Sequence, residues 1–580
     1  MSTLTAADQE TRDKVFALPE ICERISRSLN GKTITSCLRV SQAWHNSWLP
    51  TIWHTIDAGS QWEHPSFLEA LSKHGDLIRI LKCMRYDNIG LLFNDGNVLC
   101  KNLVTLVLPK TTLVNQADHA RLVRQNPLLR DLSVTLRDRA VPIHEDVSSK
   151  YADLVDAIGE LRFLSRLVLD ENETLEVDTL ETILSKCKGS LQELSLSGAY
   201  FPRHPFGPGD TFASGLLATS DSGSSADVEI ETKETFGILS LYLDNVACSQ
   251  NLLLNLVSRF PQLSRLSLRE STEISFSEDF PDRLARRCPK IKYLDISLKE
   301  DLDDDAIANL VVALPNLQHF FATETYLGNA SLTALAENCR NLTVLDISTT
   351  YGIQGHVIQQ LLEKCWSLRK LEAWGVDVNV GEMMVEAYKS QGGGHSSQQD
   401  LQGRWACHGL ESLAINFDYD DSVLEEDNQQ QHSPSQARRF IYEQLSKLKK
   451  LGHVAIGGSL QEAETDDADD HDACTEAEEK VASGLDADSD SGSEDQAFDA
   501  CDNSIWIDFS LKSGLGLLSP LKDLHTLYLH PGHAIGVPEI KWMSKNWPNL
   551  KRIQGLYEDG HEEVFQWLRE NRSDIEIDSD

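Results

Sequence analysis

Cys288, Cys339 and Cys365 each stand three positions ahead of an apolar residue that opens a leucine-rich phrase. Thiols could ligate a metal or act as nucleophiles once ionised. Metal ligands must converge on one point, however, and residues that recur once per repeat are held apart. Small buried packing is therefore their expected role. Gly392-Gly393-Gly394-His395 offers one imidazole within a spacer-like composition, and Gly514-Leu515-Gly516 lacks the third glycine of a phosphate loop. The motifs H-E-x-x-H and G-x-S-x-G and a complete phosphate-binding loop are absent from the sequence. Carboxylates abound without any pair standing out. No catalytic residue, metal or cofactor is expected. Two other features suggest recognition instead. Trp44, Trp48 and Trp53 fall within ten positions, in a stretch too short to bury all three rings. Ser491 lies in the acidic run Asp488–Asp495, with Glu494 three residues on, the surroundings of casein-kinase-type phosphorylation sites.

The elements that position these residues follow from a repeat. A length of 580 residues suggests roughly four domains at about 150 residues each, unless a repeat overrides that prior. The phrase L-x-x-L-x-L occurs at Leu103–Leu108, Leu164–Leu169, Leu191–Leu196, Leu263–Leu268 and Leu524–Leu529, with close variants between them. Its middle apolar position marks each copy. Markers Leu81, Leu106, Leu132, Leu167 and Leu194 are followed by Leu241, Leu266, Leu294, Phe320, Leu345 and Leu371. The last six are spaced by 25, 28, 26, 25 and 26 residues, enough for a strand, a turn, a helix and a return. Val357, Ile358, Leu361 and Leu362 supply the apolar stripe of one such helix, and Ile307, Leu310, Val311 and Leu314 that of another.

This pattern resembles leucine-rich repeats, in particular their cysteine-containing subclass, over most of Gly59–Ile575. The resemblance implies an α/β fold: a curved solenoid with a parallel strand ladder on the concave side and helices outside. Repeats are expected over 58–572, interrupted by inserts at 201–235, 391–404 and 418–436. A fourth insert, 461–503, holds 17 acidic residues against the single base Lys480, and is expected to be disordered. Residues 1–14 and the acidic tail 573–580 are expected to flank the folded part.

The whole chain has 53 Lys and Arg against 90 Asp and Glu, a net charge of −37, which argues against a nucleic-acid surface. Its 41% hydrophobic content suffices for a large core, and no apolar run is long enough to span a bilayer. Twelve cysteines without a C-x-x-C pair, and no secretory leader at the start, point to a reducing intracellular compartment, cytoplasm or nucleus.

Residues 15–57 do not follow the repeat. Ile21, Ile25 and Leu29 form an i, i+4, i+8 stripe after Pro19, Asn30-Gly31 breaks it, and Ile34, Cys37 and Leu38 begin a second helix. The stretch resembles an F-box. The matching positions are Leu18, Pro19, Glu20, Ile21, Ile25, Leu29, Leu38, Val40, Trp44 and Trp53. It departs from the family pattern in the missing residue between Pro19 and Glu20, in Gly31-Lys32 where Asp-Pro is usual, and in Ser41 where Cys is common. Together with Trp405–Leu410 and Trp547–Lys551, the segment is similar to fungal F-box/leucine-rich-repeat proteins. That resemblance implies a non-catalytic substrate receptor of an Skp–cullin–F-box ubiquitin ligase, its N-terminal module docking on the Skp-type adaptor and through it on a cullin. The alternative is an interaction scaffold using the same surfaces without ubiquitin transfer. An unknown protein target is the expected partner of the repeats; nucleic acid and membrane are not.

Strand side chains alternate, so the two residues flanking each marker point away from the core, and the residue after the last core position extends that row. This places Tyr242, Asp244, Arg265, Arg269, Tyr293, Asp295, His319, Phe321, Val344, Asp346, Lys370, Glu372 and Trp374 on the concave face. Tyr293, Phe321 and Trp374 are the expected centre of a target-binding patch rimmed by Arg265, Arg269 and Asp295, because aromatic anchors dominate binding hot spots.

Overall fold

In the computed structural model the described residues are 21, 24–25, 28–29, 31–58, 64–83, 92–94, 97–111, 116–136, 151–170, 177–199, 234–271, 276–389, 405–419, 433–457, 507, 509–529, 533, 535–557 and 561–578. Leu18, Pro19, Glu20, Gly392–His395, Ser491 and the 461–503 insert lie outside them. The chain divides into two compact units, Met1–Asp301 and Leu302–Asp580.

The first unit opens with the helices Gly31–Cys37 and Gln42–His54. The second of these runs straight into strand β1 (Thr55–Ala58), which pairs in parallel with β2 (Ile80–Cys83). A short antiparallel pair, β3 (Phe93–Asn94) and β4 (Asn97–Val98), stands beside the ladder. The ladder continues in parallel through β5 (Thr105–Thr111), β6 (Asp131–Leu136), β7 (Arg166–Asp170), β8 (Glu193–Ser197), β9 (Ser240–Asp244), β10 (Arg265–Ser267) and β11 (Tyr293–Asp295). The second unit holds β12 (His319–Phe321), β13 (Val344–Asp346), β14 (Lys370–Asn379), β15 (Ser412–Asp418), β16 (His453–Ile456), β17 (Thr526–Leu529), β18 (Arg552–Gln554) and β19 (Glu576–Asp578), again all parallel. Helices such as Gln250–Ser258, Asp304–Ala313 and Gly355–Lys364 connect the strands.

The sequence markers are the register. In the first unit Leu81 faces Leu106, which faces Leu132, and the line runs on through Leu167, Leu194, Leu241, Leu266 and Leu294. In the second it runs from Phe320 through Leu345, Leu371, Leu413, Val454 and Leu527 to Ile553 and Ile577. From Leu81 to Ile553 these side chains are at most 2% exposed. These markers share the core with the other apolar positions of each phrase, such as Leu263 and Leu268, and each such burial contributes about 1.5–3 kcal/mol. The ladder exceeds the expected limits at both ends. Ile56 already pairs with Leu81 inside the segment assigned to the helical module, and β19 lies in the stretch expected as an acidic tail. Ordered structure also narrows the third insert: β15 reaches Asp418, and a helix begins at Pro434, capped by Ser433 and Gln436 in a capping box.

A turn four residues past the marker repeats along the ladder. Gly198, Asn245, Glu270 and Leu298 in the first unit, and Glu324, Thr349 and Gly375 in the second, have φ between 53° and 70°. Left-handed backbone costs a non-glycine residue of order 1 kcal/mol or more. What holds it is a hydrogen bond across the rung. The Asn245 N–H donates to Arg269 O at 2.8 Å, Glu270 to Ser297 O at 2.9 Å and Glu324 to Ser348 O at 3.1 Å. Cys288, Cys339 and Cys365 end their helices and are 0% exposed, with the Cys288 thiol donating to Val257 O at 3.4 Å. Burial pushes all three thiols up to about 12. Gly514 takes φ 113° at the start of a 3-10 turn against Tyr442, so this glycine shapes a packed loop.

Candidate functional site

Two surfaces carry the residues singled out by sequence. The first is the N-terminal helical cluster. Ser41 caps the helix Gln42–His54, its hydroxyl accepting from the Trp44 N–H at 3.2 Å. The turn of this helix brings Trp44 and Trp48 onto one side with ring centroids 6.1 Å apart. Trp48 is 1% exposed and, with Ile34, forms the centre of a small core. Ile25, Leu29, Leu38 and Trp44, all expected adaptor contacts, pack half-buried against that centre beside Cys37 and Ile52. Ile21 is half-buried and Val40 is exposed. Trp53 turns the other way. It stacks on Phe67 at 6.3 Å and meets His74 at 5.2 Å, joining the helical segment to the helix Pro65–His74. The indole Nε1 of Trp48 is buried without a hydrogen-bond partner, a cost the surrounding apolar contacts must offset.

The second surface is the outward side of the strands, and its expected residues divide between the units. Tyr242, Asp244, Arg265, Arg269, Tyr293 and Asp295 belong to the first. Ser267 donates to the Asp244 carboxylate at 2.7 Å, and the Ser297 N–H donates to Asp295 at 3.0 Å. Burial lifts the Asp244 carboxyl above its ordinary range, and the carboxylates of Asp295 and Asp170 add to the effect while Ser267 and Arg269 oppose it. Burial likewise raises the Tyr293 phenol, with Asp295 next in importance. Arg265 and Arg269 are exposed.

His319, Phe321, Val344, Asp346, Lys370, Glu372 and Trp374 belong to the second unit and are all half-buried. Lys370 pairs with Glu372 at 2.6 Å. The register of β14 against β15 shifts between Ala373 and Asp377, so Trp374, Gly375 and Val376 form a bulge. From there the Trp374 ring meets Tyr528 edge-on, with centroids 5.1 Å apart. Tyr528 stands on β17 at the level occupied by Ala455 on β16, Ala414 on β15 and Glu372 on β14. Both alanines are buried, and their small side chains leave room for rings to close over them. Sequence reasoning missed Tyr528, although it follows Leu527 directly, because that phrase lies beyond the evenly spaced markers Leu241 to Leu371. It also gave no role to Lys299, which is buried. The Lys299 ammonium donates to Ser271 O at 2.9 Å and to both Asp301 oxygens at 2.7 and 2.9 Å.

Among the described residues no group of three or more His, Cys, Asp or Glu is placed to hold a metal ion, and no helix is long and apolar enough to cross a membrane. Both surfaces present aromatic rings, and the strand face adds paired charges on a fixed backbone register. A shallow cavity of about 520 Å³ in the second unit is lined by His525, Thr526, Asn549, Lys551, Arg552 and the carboxylates of Asp523 and Glu576. Its charges are balanced, with Arg552 held by Glu576 at 2.7 and 3.1 Å.

No family model and no curated protein matches the sequence. Solved structures do align with it. A chain of the yeast Rad7–Elc1 complex is 14% identical with TM-score 0.36, covering 97% of this chain and 94% of that one. A leucine-rich-repeat protein of Leptospira interrogans is 12% identical with TM-score 0.37, covering 84% and 98%. An internalin of Listeria monocytogenes is 14% identical with TM-score 0.32, covering 68% and 90%.

Proposed function

We propose that this chain is a non-catalytic substrate receptor of an Skp–cullin–F-box ubiquitin ligase. The observation that carries the reading is the N-terminal cluster. The segment that reads as an F-box has a small core of its own around Ile34 and Trp48, and it leads without a linker into the first strand of the ladder. A module so placed would dock on the adaptor while the strand face holds a target. The gain in ubiquitin transfer would come from effective concentration, since tethering replaces a bimolecular encounter with a local one. The concave-face residues remain the proposed target contacts, Tyr242, Arg265, Arg269, Tyr293 and Asp295 in the first unit and His319, Phe321, Lys370, Glu372 and Trp374 in the second.

The test is capture of a purified Skp-type adaptor by the full chain. Leu18→Ala with Pro19→Ala should abolish capture, and Val40→Arg, at an exposed position, should weaken it. Loss of a central apolar anchor costs about 2 kcal/mol, near thirtyfold in affinity. Circular dichroism should stay unchanged in both variants. Undiminished capture by the double variant, or no capture by the wild type, would overturn the receptor reading and leave the scaffold.

A further inference from the structure

Tyr326 and Tyr351 are the most exposed large aromatic side chains among the described residues, at 65% and 83%. A single exposed ring needs no explanation. These two, however, each stand six residues past a marker, Phe320 and Leu345, and those markers face each other in the ladder. They therefore occupy the same turn on adjacent rungs, whose strands lie about 4.8 Å apart. The turn is firmly held. Thr325 Oγ1 donates to Ala322 O at 2.8 Å, Thr350 Oγ1 donates to Ile347 O at 2.8 Å, and the Thr349 N–H donates to Trp374 O at 2.6 Å.

The charge on this edge of the second unit is one-signed. The stretches 302–309, 322–332, 347–357 and 373–383, which lead into and out of these turns, contain six acidic residues and no lysine or arginine. Three of the acids serve helix starts. Asp303 caps its own helix, Asp304 accepts from three backbone N–H groups of the next, and Glu382 accepts from the Gly355 N–H. Asp305, Glu324 and Asp377 are exposed, and helix-start capping does not account for Glu324 or Asp377, although Asp377 also accepts from the neutral Asn416 amide at 3.1 Å. The opposite turns of the same unit, from helix into strand, carry both signs with a basic excess: Arg340, Arg369, Lys449, Lys450, Lys522 and Lys551 stand against Glu411 and Asp523, and Arg369 pairs with Glu411 at 3.2 Å.

Aromatic faces next to uncompensated carboxylates attract guanidinium and ammonium groups, each cation–π contact adding about 0.5–1 kcal/mol at an exposed site. We propose that the strand-to-helix edge around Tyr326 and Tyr351 docks an extended, arginine- or lysine-bearing segment of a protein partner. The tyrosines receive its cationic side chains, and Asp305, Glu324 and Asp377 balance their charge. Because the turns are already fixed by hydrogen bonds, little ordering of this side accompanies binding. The surface is separate from the strand face and does not depend on ubiquitin transfer.

The probe is a fluorescent peptide of alternating arginine and glycine carrying a photo-crosslinker, titrated into the full chain without any adaptor. Binding should be about tenfold weaker for Tyr326→Ala with Tyr351→Ala and within about threefold of wild type for the double Phe variant, which keeps both rings. Cross-links should fall in 322–330 and 347–354. Equal affinity of the alanine variant, cross-links confined to the 461–503 tract, or no binding by the wild type would each overturn the proposal. Adaptor capture, measured separately, bears only on the ligase reading.

Discussion

Asp244 shows how a single residue on the strand face trades stability for charge. Burial, with Asp295 and Asp170 nearby, raises its folded pKa above the unfolded value. Between those two values the folded state binds more protons than the unfolded chain, so stability falls as pH rises through that window and stays reduced above it. Asp244→Asn keeps an acceptor for Ser267 and removes the charge. The expected result is a higher melting temperature at pH 7 and no gain below about pH 3, where the wild-type carboxyl is already protonated. A melting temperature unchanged at pH 7 would show that the carboxylate is compensated. Thiol chemistry separates the described cysteines equally sharply. Cys37 is half-buried, whereas Cys288, Cys339 and Cys365 are buried with thiols near 12. Brief alkylation of the native protein should modify Cys37 and spare the other three, as read by peptide mass spectrometry.

Between elements, the repeats are joined by polar staples as well as by the strand ladder. Asp304 begins one helix yet accepts from Gly328, Ala330 and Ser331 N–H at 2.8 to 2.9 Å, satisfying the start of the next helix, Asn329–Asn338. Asp304→Ala should cost about 2 kcal/mol in urea unfolding, because a charged acceptor for several orphan donors is lost. Close backbone approach sets a second constraint. A Cβ on Gly355 would lie 2.0 Å from Asn379 O, whereas one on Gly409 meets nothing within 4 Å. Gly355→Ala should therefore destabilise by about 1–3 kcal/mol and Gly409→Ala should be close to neutral. Equal effects of the two alanines would refute the packing argument. Buried Trp405 makes a staple of a third kind, its indole N–H donating to Gln359 at 3.0 Å while its own backbone N–H donates to Gln444 at 3.3 Å.

At the scale of the molecule, each unit tolerates interruption because its rungs need only keep register. Val454 on β16 faces Leu527 on β17 although 73 residues separate them. Closing a flexible loop costs about (3/2)RT ln n, so shortening that connection changes stability little. Deleting 461–503 should leave the melting temperature unchanged or slightly raised and remove 16 of the 37 net negative charges. A marked fall in melting temperature would mean that the tract contributes packing. The segregation of acidic and basic turns on the two edges of the second unit follows in part from helix polarity, which favours acids at N-termini and bases at C-termini. Tyr326 and Tyr351 are not accounted for in that way.

The spacing of apolar residues was enough to determine the strand register, because the alternating apolar side chains of each rung must be buried and a shift of one residue would turn them outward. Every marker from Leu81 to Leu371 occupies its expected rung within its unit, and the recurring cysteines are the small buried residues that repetition implied. The fold was legible because that signal is local and periodic. Contacts among outward residues were not. Trp374 meets Tyr528 three rungs away only because a bulge frees it and Ala414 and Ala455 leave space, and neither condition is visible in one repeat. Trp53 was read with the helical module, yet its partners are Phe67 and His74. Asn245 and Glu270 adopt a backbone that their side chains disfavour, held by hydrogen bonds to the neighbouring rung. Burial of the core depends on residue type and period, which sequence states directly. Pairing across rungs depends on what the adjacent repeat leaves unfilled, and only the tertiary structure decides that.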